Sequence, residues 1–325
     1  MNKRTSSAGA HIFVTGLGGF IGPAVAEGLL AAGYKVSGLV RQSTRPTPEV
    51  DRLKGKVDLY TGDLNDFSGL RQILTAAAPD HIIHFAALSS VAASFDRPII
   101  VNQNNYIGNL NLAEAARQAL PELKSFAFSS SMEVYGAQEL APFTEDMEPH
   151  PRAPYAVSKL AFEKYLEMLH ANYGFPSVSI RQTNAYGRLT NTYFVVEAII
   201  TQMLRDKVVN LGRKEPVRNF VHIDDLVALY VTMVKEIEAG NKNLFGQVFN
   251  TGPNNGLSIG DLQALIADEM GWEGVVNWGS REIRAGEVFC LDSANDKISK
   301  VLEWAPRIGL RDGLARTIAY WKNKI

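Results

Sequence analysis

Short apolar runs, separated by longer stretches in which apolar and polar positions alternate with a helical period, repeat through the first half of the chain. The runs His11–Thr15, Lys35–Val40, Val57–Tyr60, His81–Phe85, Ser125–Ser130 and Ser177–Arg181 are β-rich, and most are near-continuously apolar, as in strands covered on both faces. Between them, Phe20–Ala32, Phe67–Ala77, Asn105–Ala119 and Pro154–Tyr173 have the length and period of helices. This alternation predicts an α/β fold with a doubly wound parallel sheet. Beyond residue 182 the pattern loosens into turns rich in Asn, Gly and Pro at Asn184–Asn191 and Thr251–Leu257, with helices expected near Phe194–Leu204, Asp224–Lys235 and Ile259–Met270. The expected organisation is a larger domain of residues 1–182 plus roughly 215–250. A smaller, partly interleaved lobe of residues 183–214 plus roughly 251–325 would close over the carboxyl ends of the strands, where open α/β sheets bind ligands.

Composition removes several classes of function. The chain has 325 residues, 46% hydrophobic and 21% charged, enough to bury a sizeable core. Lys and Arg number 33 against 34 for Asp and Glu, so a net charge of -1 supplies no long-range field for nucleic acid or an anionic membrane. No run approaches the roughly 18 apolar residues of a membrane span. The single cysteine, Cys290, cannot form an internal disulfide, and the six histidines show no metal-ligand spacing with it. A cytoplasmic, metal-free protein with a small-molecule partner is expected. Lys3 and Arg4 before the apolar stretch Ile12–Ile21 superficially copy a signal peptide, but Gly16, Gly18, Gly19 and Gly22 interrupt that stretch, and Met1–Ala10 reads as a short frayed leader.

Those glycines have a chemical reading. Thr15-Gly16-Leu17-Gly18-Gly19-Phe20-Ile21-Gly22 falls where the first strand turns into the first helix. Glycine at 16, 19 and 22 permits a tight turn, close approach of backbone to a pyrophosphate and close helix-to-strand packing, with the helix N-terminus supplying N–H donors. The spacing G-x-x-G-x-x-G resembles the extended short-chain dehydrogenase/reductases, which implies a Rossmann domain whose dinucleotide lies against Gly16, Gly19, Phe20, Ile21 and Gly22. The resemblance continues in Gly62-Asp63-Leu64, where it gives Asp63 the adenine amino group, and in Phe85-Ala86-Ala87, where small residues let the backbone approach the cofactor. The second strand of the family often ends in an acidic residue that holds the ribose of NAD. Here it ends in Arg41, whose guanidinium would pair with a 2′-phosphate, so NADP is expected, with NAD the alternative.

Tyr155-Ala156-Val157-Ser158-Lys159 puts a phenol and an ammonium one helical turn apart, 24 residues after Ser131. A second Tyr-x-x-x-Lys, Tyr320 to Lys324, has no such partners and reads as a coincidence on a surface helix. An unperturbed tyrosine, with a pKa of about 10, is a poor base at neutral pH. An adjacent Lys159 would favour its phenolate, and the Ser131 hydroxyl would hydrogen-bond the substrate oxygen. Glu133, two residues beyond Ser131, resembles the glutamate that removes the C5 proton in nucleotide-sugar 4,6-dehydratases, especially the GDP-mannose 4,6-dehydratases. Met132 departs from that pattern, because a thioether donates no proton. The resemblance extends to Ala86-Ala87-Leu88-Ser89-Ser90-Val91 and Arg181-Gln182-Thr183-Asn184-Ala185-Tyr186-Gly187, implying substrate contacts at Ser89 and Asn184. It also implies that Arg218 and Arg284 grip the sugar nucleotide's diphosphate. Arg188 stands in place of the usual proline, and Asn219 in place of the usual aspartate. The expected function is an NADP-dependent 4,6-dehydratase of a nucleotide-diphosphate sugar, with a GDP-hexose as the expected substrate. A 4-epimerase, an NADPH-dependent 4-keto-sugar reductase and a dinucleotide-sensing binding protein are the alternatives. Family members commonly dimerise through the helices here expected at Asn105–Ala119 and Pro154–Tyr173, which makes a homodimer the expected assembly.

Overall fold

The computed structural model describes residues 9–41, 47–138, 140–280 and 286–325. Residues 1–8 of the leader expected at Met1–Ala10, and the expected ligand Arg284, lie outside the described residues. Six strands of the first half form a parallel sheet: β1 (His11–Thr15), β2 (Lys35–Val40), β3 (Asp58–Thr61), β4 (His81–His84), β5 (Ser125–Ser131) and β6 (Ser177–Gln182). A seventh strand, Gln247–Asn250, completes it, and the spatial order is 247–250, β6, β5, β4, β1, β2, β3. The order reverses between β1 and β4, the switch point beyond whose carboxyl ends open α/β sheets bind ligands in a crevice. β1 and β5 are buried at every position, consistent with apolar cover on both faces.

The covering layers follow from the amphipathic stripes. On one face α1 (Ile21–Ala31) and the helix Ile223–Glu238 pack together through Val25, Leu29, Leu226 and Tyr230. On the other, α3 (Phe67–Ala77), the helix Gly108–Ala119 and the helix Pro154–Tyr173 bury Leu70, Leu74, Leu112, Phe162 and Leu166 against Phe126 and Phe128. A separate core holds the second half, where the helices Val195–Arg205, Ile259–Met270 and Leu310–Lys322 enclose Ile199, Met203, Leu262, Leu314 and Trp321.

Several elements were not predicted. Asn184–Tyr186, within a stretch expected as turn, is a short strand pairing in parallel with Phe220–His222. Three residues are too few for the sequence to show an alternation, and tertiary pairing outweighs the local turn preference of Asn184. The strand Gln247–Asn250 has only four residues, and α2 (Pro48–Leu53) is a single capped turn and a half, with Thr47 accepting from Val50 N. A run of π-helix, 103–107, precedes Gly108–Ala119, so the helix expected from Asn105 starts within a stretch of wider turns.

Candidate active site

The turn after β1 is shaped by space. Gly16 has φ 79°, and a Cβ there would lie 2.8 Å from Ala86 N, so only glycine lets β1 and the end of β4 approach. A Cβ on Gly22 would fall 2.6 Å from Gly16 O, which fixes how closely α1 seats on the turn. Phe20 caps α1 with no side-chain bond, and the first turn carries no acidic residue, so the helix N-terminus faces the crevice with backbone donors alone.

Beneath the turn is a polar line that the sequence reading did not find. Ala86 N donates to Thr15 Oγ1 at 3.1 Å, Thr15 Oγ1 lies 2.6 Å from His84 Nδ1, and His84 Nε2 lies 2.8 Å from Asn109 Oδ1. The available signal was the pair of histidines at the two ends of the short strand β4. Burial lowers the His84 pKa to about 3, against a smaller opposing effect of the Asn109 hydrogen bond, so the ring is neutral near pH 7. Between pH 6.5 and about 3 the unfolded chain then binds a proton that the native chain refuses, and stability falls as the pH drops through that window. His84→Gln is expected to melt lower than the wild type at pH 7 yet lose less melting temperature between pH 7 and pH 5, as scanning calorimetry would measure.

A cavity of about 580 Å³ opens above the crevice. Gly16, Gly19, Phe20, Ile21, Gly22, Arg41, Leu64, Ala86, Ala87 and Ser89 all line it, as do Ser131, Glu133, Tyr155, Lys159 and Asn184. Residues from both halves of the chain thus meet on one groove. Two of the expected ligands are not on its wall. The Asp63 carboxylate accepts from Asn65 N and Asn65 Nδ2, closing a local turn. Arg218 donates to the carbonyls of Val217, Val288 and Phe289, and so ties together the segments around Val217 and Cys290. Asn219, fully buried, donates to Asp292 Oδ1 and accepts from Ser293 N, while its own carbonyl accepts from Thr183 and Asn184.

The proton-handling groups sit at the junction of β5 and the helix Pro154–Tyr173. Ala153 is extended, as the residue before a proline tends to be, and Pro154 starts the helix, which delivers Tyr155 in its first turn and Lys159 in the next. Ser131 ends β5 and accepts from Glu133 N at 3.2 Å, opening the short turn Met132–Tyr135. Lys159 Nζ donates to Ser129 O at 2.7 Å and lies 4.7 Å from the centre of the Phe128 ring. Burial lowers the lysine to about 7, with Glu163 opposing, so near neutrality its charge is only partly present. Here the structure departs from the expectation that Lys159 brings the phenol down. Burial raises the Tyr155 pKa, the Ser131 hydrogen bond works against that, and the Glu133 charge adds to the rise. Ser131 is the group that favours the phenolate.

Behind these residues Glu163 accepts from Arg181 and meets Ser130, and the Arg181 guanidinium covers the Tyr135 ring at 4.6 Å. Tyr135 in turn donates to Asn250 on the last strand of the sheet. This buried network holds the serine run at the end of β5, and periodicity could not reveal it because its members come from four separate segments.

Among the described residues no group of His, Cys, Asp and Glu could hold a metal ion, and no helix is long and apolar enough to cross a membrane.

The chain matches a family model described as GDP-mannose 4,6 dehydratase over residues 13–317. It is 31% identical over 317 residues to the UDP-glucose 4-epimerase of Mycolicibacterium smegmatis, covering 96% of this chain and 98% of that one. It is 28% identical to the GDP-6-deoxy-D-mannose reductase of Pseudomonas aeruginosa, covering 97% and 98% respectively. Among solved structures, a UDP-glucose 4-epimerase of Thermotoga maritima with UDP-glucose superposes with a TM-score of 0.88 at 29% identity, over 97% of this chain and 99% of that chain.

Proposed function

We propose, from the premise that this chain belongs to the nucleotide-sugar epimerase and dehydratase family of the extended short-chain dehydrogenase/reductases, that it is a 4,6-dehydratase of a nucleotide-diphosphate sugar. The observation that carries this reading is Glu133, a carboxylate on the same cavity wall as Ser131, Tyr155 and Lys159 and two residues from the serine. The groove fits a nicotinamide dinucleotide: Gly16 and Gly22 leave a cradle that a Cβ would fill, and the α1 N-terminus turns toward it without an acidic residue. When bound, that cofactor supplies an acceptor for the hydrogen leaving C4 and a donor for the one arriving at C6. Arg41, exposed at the rim beside Val40, supports NADP through its fit to a 2′-phosphate.

The chain's own residues move the protons. Ser131 hydrogen-bonds the C4 oxygen and Tyr155 takes its proton. A ketone at C4 acidifies C5, and Glu133, an acceptor when ionised, removes the C5 proton and can return it to the departing C6 hydroxyl as water; when hydrogen arrives at C6, C5 takes up a proton from solvent through Glu133, balanced by the C4 hydroxyl proton that Tyr155 gives up. Lys159 orients the ribose next to the nicotinamide. Ser89 and Asn184 line the sugar-nucleotide end, and Arg218 and Arg284 are carried as diphosphate ligands by the family resemblance alone. A GDP-hexose is the proposed substrate, following the family model's description. The expected homodimer is supported by apolar side chains left exposed on or beside the helices concerned: Ile107 at 39%, Val157 at 46% and Tyr173 at 62%.

One observation favours a second reading, 4-epimerisation. Met132 is buried in an apolar cluster with Val288 and Leu291, so the position beside Glu133 gives no help in expelling a hydroxyl. Incubation with NADP or NAD and a panel of GDP-, UDP-, dTDP- and CDP-hexoses, read by mass spectrometry and proton NMR, separates the two. Loss of one water with a new C6 methyl signal and no net cofactor reduction is expected. An unchanged mass with inverted C4 would make the chain an epimerase, and turnover only of 4-keto sugars with NADPH would make it a reductase.

A further inference from the structure

The residue that replaces the family's proline, Arg188, is 8% exposed, and its Nε has no hydrogen-bond partner. Glu197 already balances the charge of this guanidinium, but a buried donor left without an acceptor is costly unless a ligand supplies one. Its surroundings are built rather than incidental. The guanidinium carbon lies 3.7 Å from the centre of the Phe194 ring and 4.4 Å from that of Phe20, the residue that caps α1 next to the glycine turn. Glu197, fully buried, accepts from Gly187 N at 3.0 Å and Arg188 N at 2.9 Å, and pairs with the side chain at 3.3 Å. The C-terminal helix secures the backbone from behind, with Trp321 Nε1 donating to Arg188 O and Tyr320 OH to Leu189 O.

The segment then crosses the groove. Thr190 Oγ1 donates to Glu49 Oε1 at 2.7 Å, on α2 of the nucleotide-binding side. Thr47, Glu49, Arg188, Thr190 and Asn191 all line the 580 Å³ cavity, so this bridge spans it near the Arg41 end. A rigidly anchored second-lobe segment therefore reaches over the groove, carries a buried cation beside the α1 N-terminus and is caught on the far bank.

We propose that Gly187–Asn191 is a clasp over the dinucleotide, in which Arg188 is a ligand of its diphosphate and Thr190 is the catch on Glu49. This rests on the reading of the groove as a dinucleotide site. The Nε donor is satisfied by a phosphate oxygen, and the α1 N-terminus reinforces the same charge. Slow release of the cofactor follows, which suits a reaction that returns its cofactor unchanged.

The test is cofactor release. Full-length chain is loaded with NADPH, and in parallel with NADH, and mixed with excess oxidised dinucleotide while fluorescence is followed. Thr190→Val is expected to speed release about three- to tenfold, and Thr190→Ser to restore the wild-type rate. Arg188→Met is expected to speed it about tenfold or more and to flatten the salt dependence of affinity. Thr190 is exposed, so its variants report without threatening the fold, and melting curves check Arg188→Met. Wild-type release rates from folded Thr190→Val and Arg188→Met would overturn the clasp while leaving the cofactor assignment standing. Failure of the wild type to take up either dinucleotide would remove both. An effect confined to GDP or UDP affinity would move Arg188 to the substrate's diphosphate and overturn the proposal.

Discussion

Tyr155→Phe is expected to lower kcat by about a thousandfold or more, within the range by which positioned acid–base groups act, while dinucleotide affinity stays within about twofold of wild type. The substitution removes one oxygen from a side chain that is 8% exposed and leaves the ring in place, so packing is preserved. What is lost is the acceptor for the C4 hydroxyl proton. Because burial raises the phenol above its ordinary value, proton removal costs more than in water, and the rate should depend on Ser131 as well. Ser131→Ala is therefore expected to move the ascending limb of the pH profile, on which Tyr155 loses its proton, to higher pH as well as slow turnover. Steady-state rates with the substrate found by product analysis, together with fluorescence titration of NADPH, check both points. Unchanged turnover in Tyr155→Phe would remove the mechanism, and a wild type that binds dinucleotide but turns over no sugar would revive the dinucleotide-sensing alternative.

Much of this site could be read along the chain because its parts lie at the ends of strands, where local spacing and three-dimensional position coincide. The glycine turn after β1, Ala86 and Ala87 after β4, Ser131 at the end of β5 and Tyr155 with Lys159 on the next helix all line one cavity. A parallel sheet forces this: every carboxyl end points the same way, so residues just past each strand become neighbours. Where position depends on contacts between distant segments, the sequence was mute. Asn219 showed only as a replacement for the usual aspartate, yet its side-chain amide joins Asp292 to Ser293 while its backbone carbonyl holds Thr183 and Asn184. Arg188 showed only as a replacement for the usual proline, and only the positions of Phe20, Phe194, Glu197 and Trp321 reveal it as a fixed part of the groove.

The electrostatic expectation failed for a related reason. Spacing alone put an ammonium beside a phenol and suggested mutual stabilisation. The fold encloses Lys159 between Ser129 O, Phe128 and the helix, and the loss of water lowers the lysine by more than Glu163 restores. Desolvation is set by everything packed around a group, which no single motif contains.

Glu133→Gln separates the proposed dehydration from everything the site shares with its relatives. Glutamine keeps the length of the side chain and can still accept a hydrogen bond, but it cannot take a proton from carbon. Removal of the C4 proton by Tyr155 needs no carboxylate at 133, so the variant is expected to carry out the first oxidation and stop. In a single turnover, absorbance of reduced cofactor should rise and persist, while release of water and formation of a C6 methyl group fall by about a hundredfold or more. Solvent deuterium sharpens the assignment, since wild type should exchange the C5 hydrogen and Glu133→Gln should not. Loss of the negative charge also lets Tyr155 ionise more easily, because Glu133 is one of the groups that raises it, so the first step should become slightly faster at neutral pH. An epimerase predicts a different outcome. There the 4-keto sugar only turns over its face, so Glu133→Gln would leave turnover within a few fold of wild type, accumulate no reduced cofactor and exchange no hydrogen at C5 in either protein.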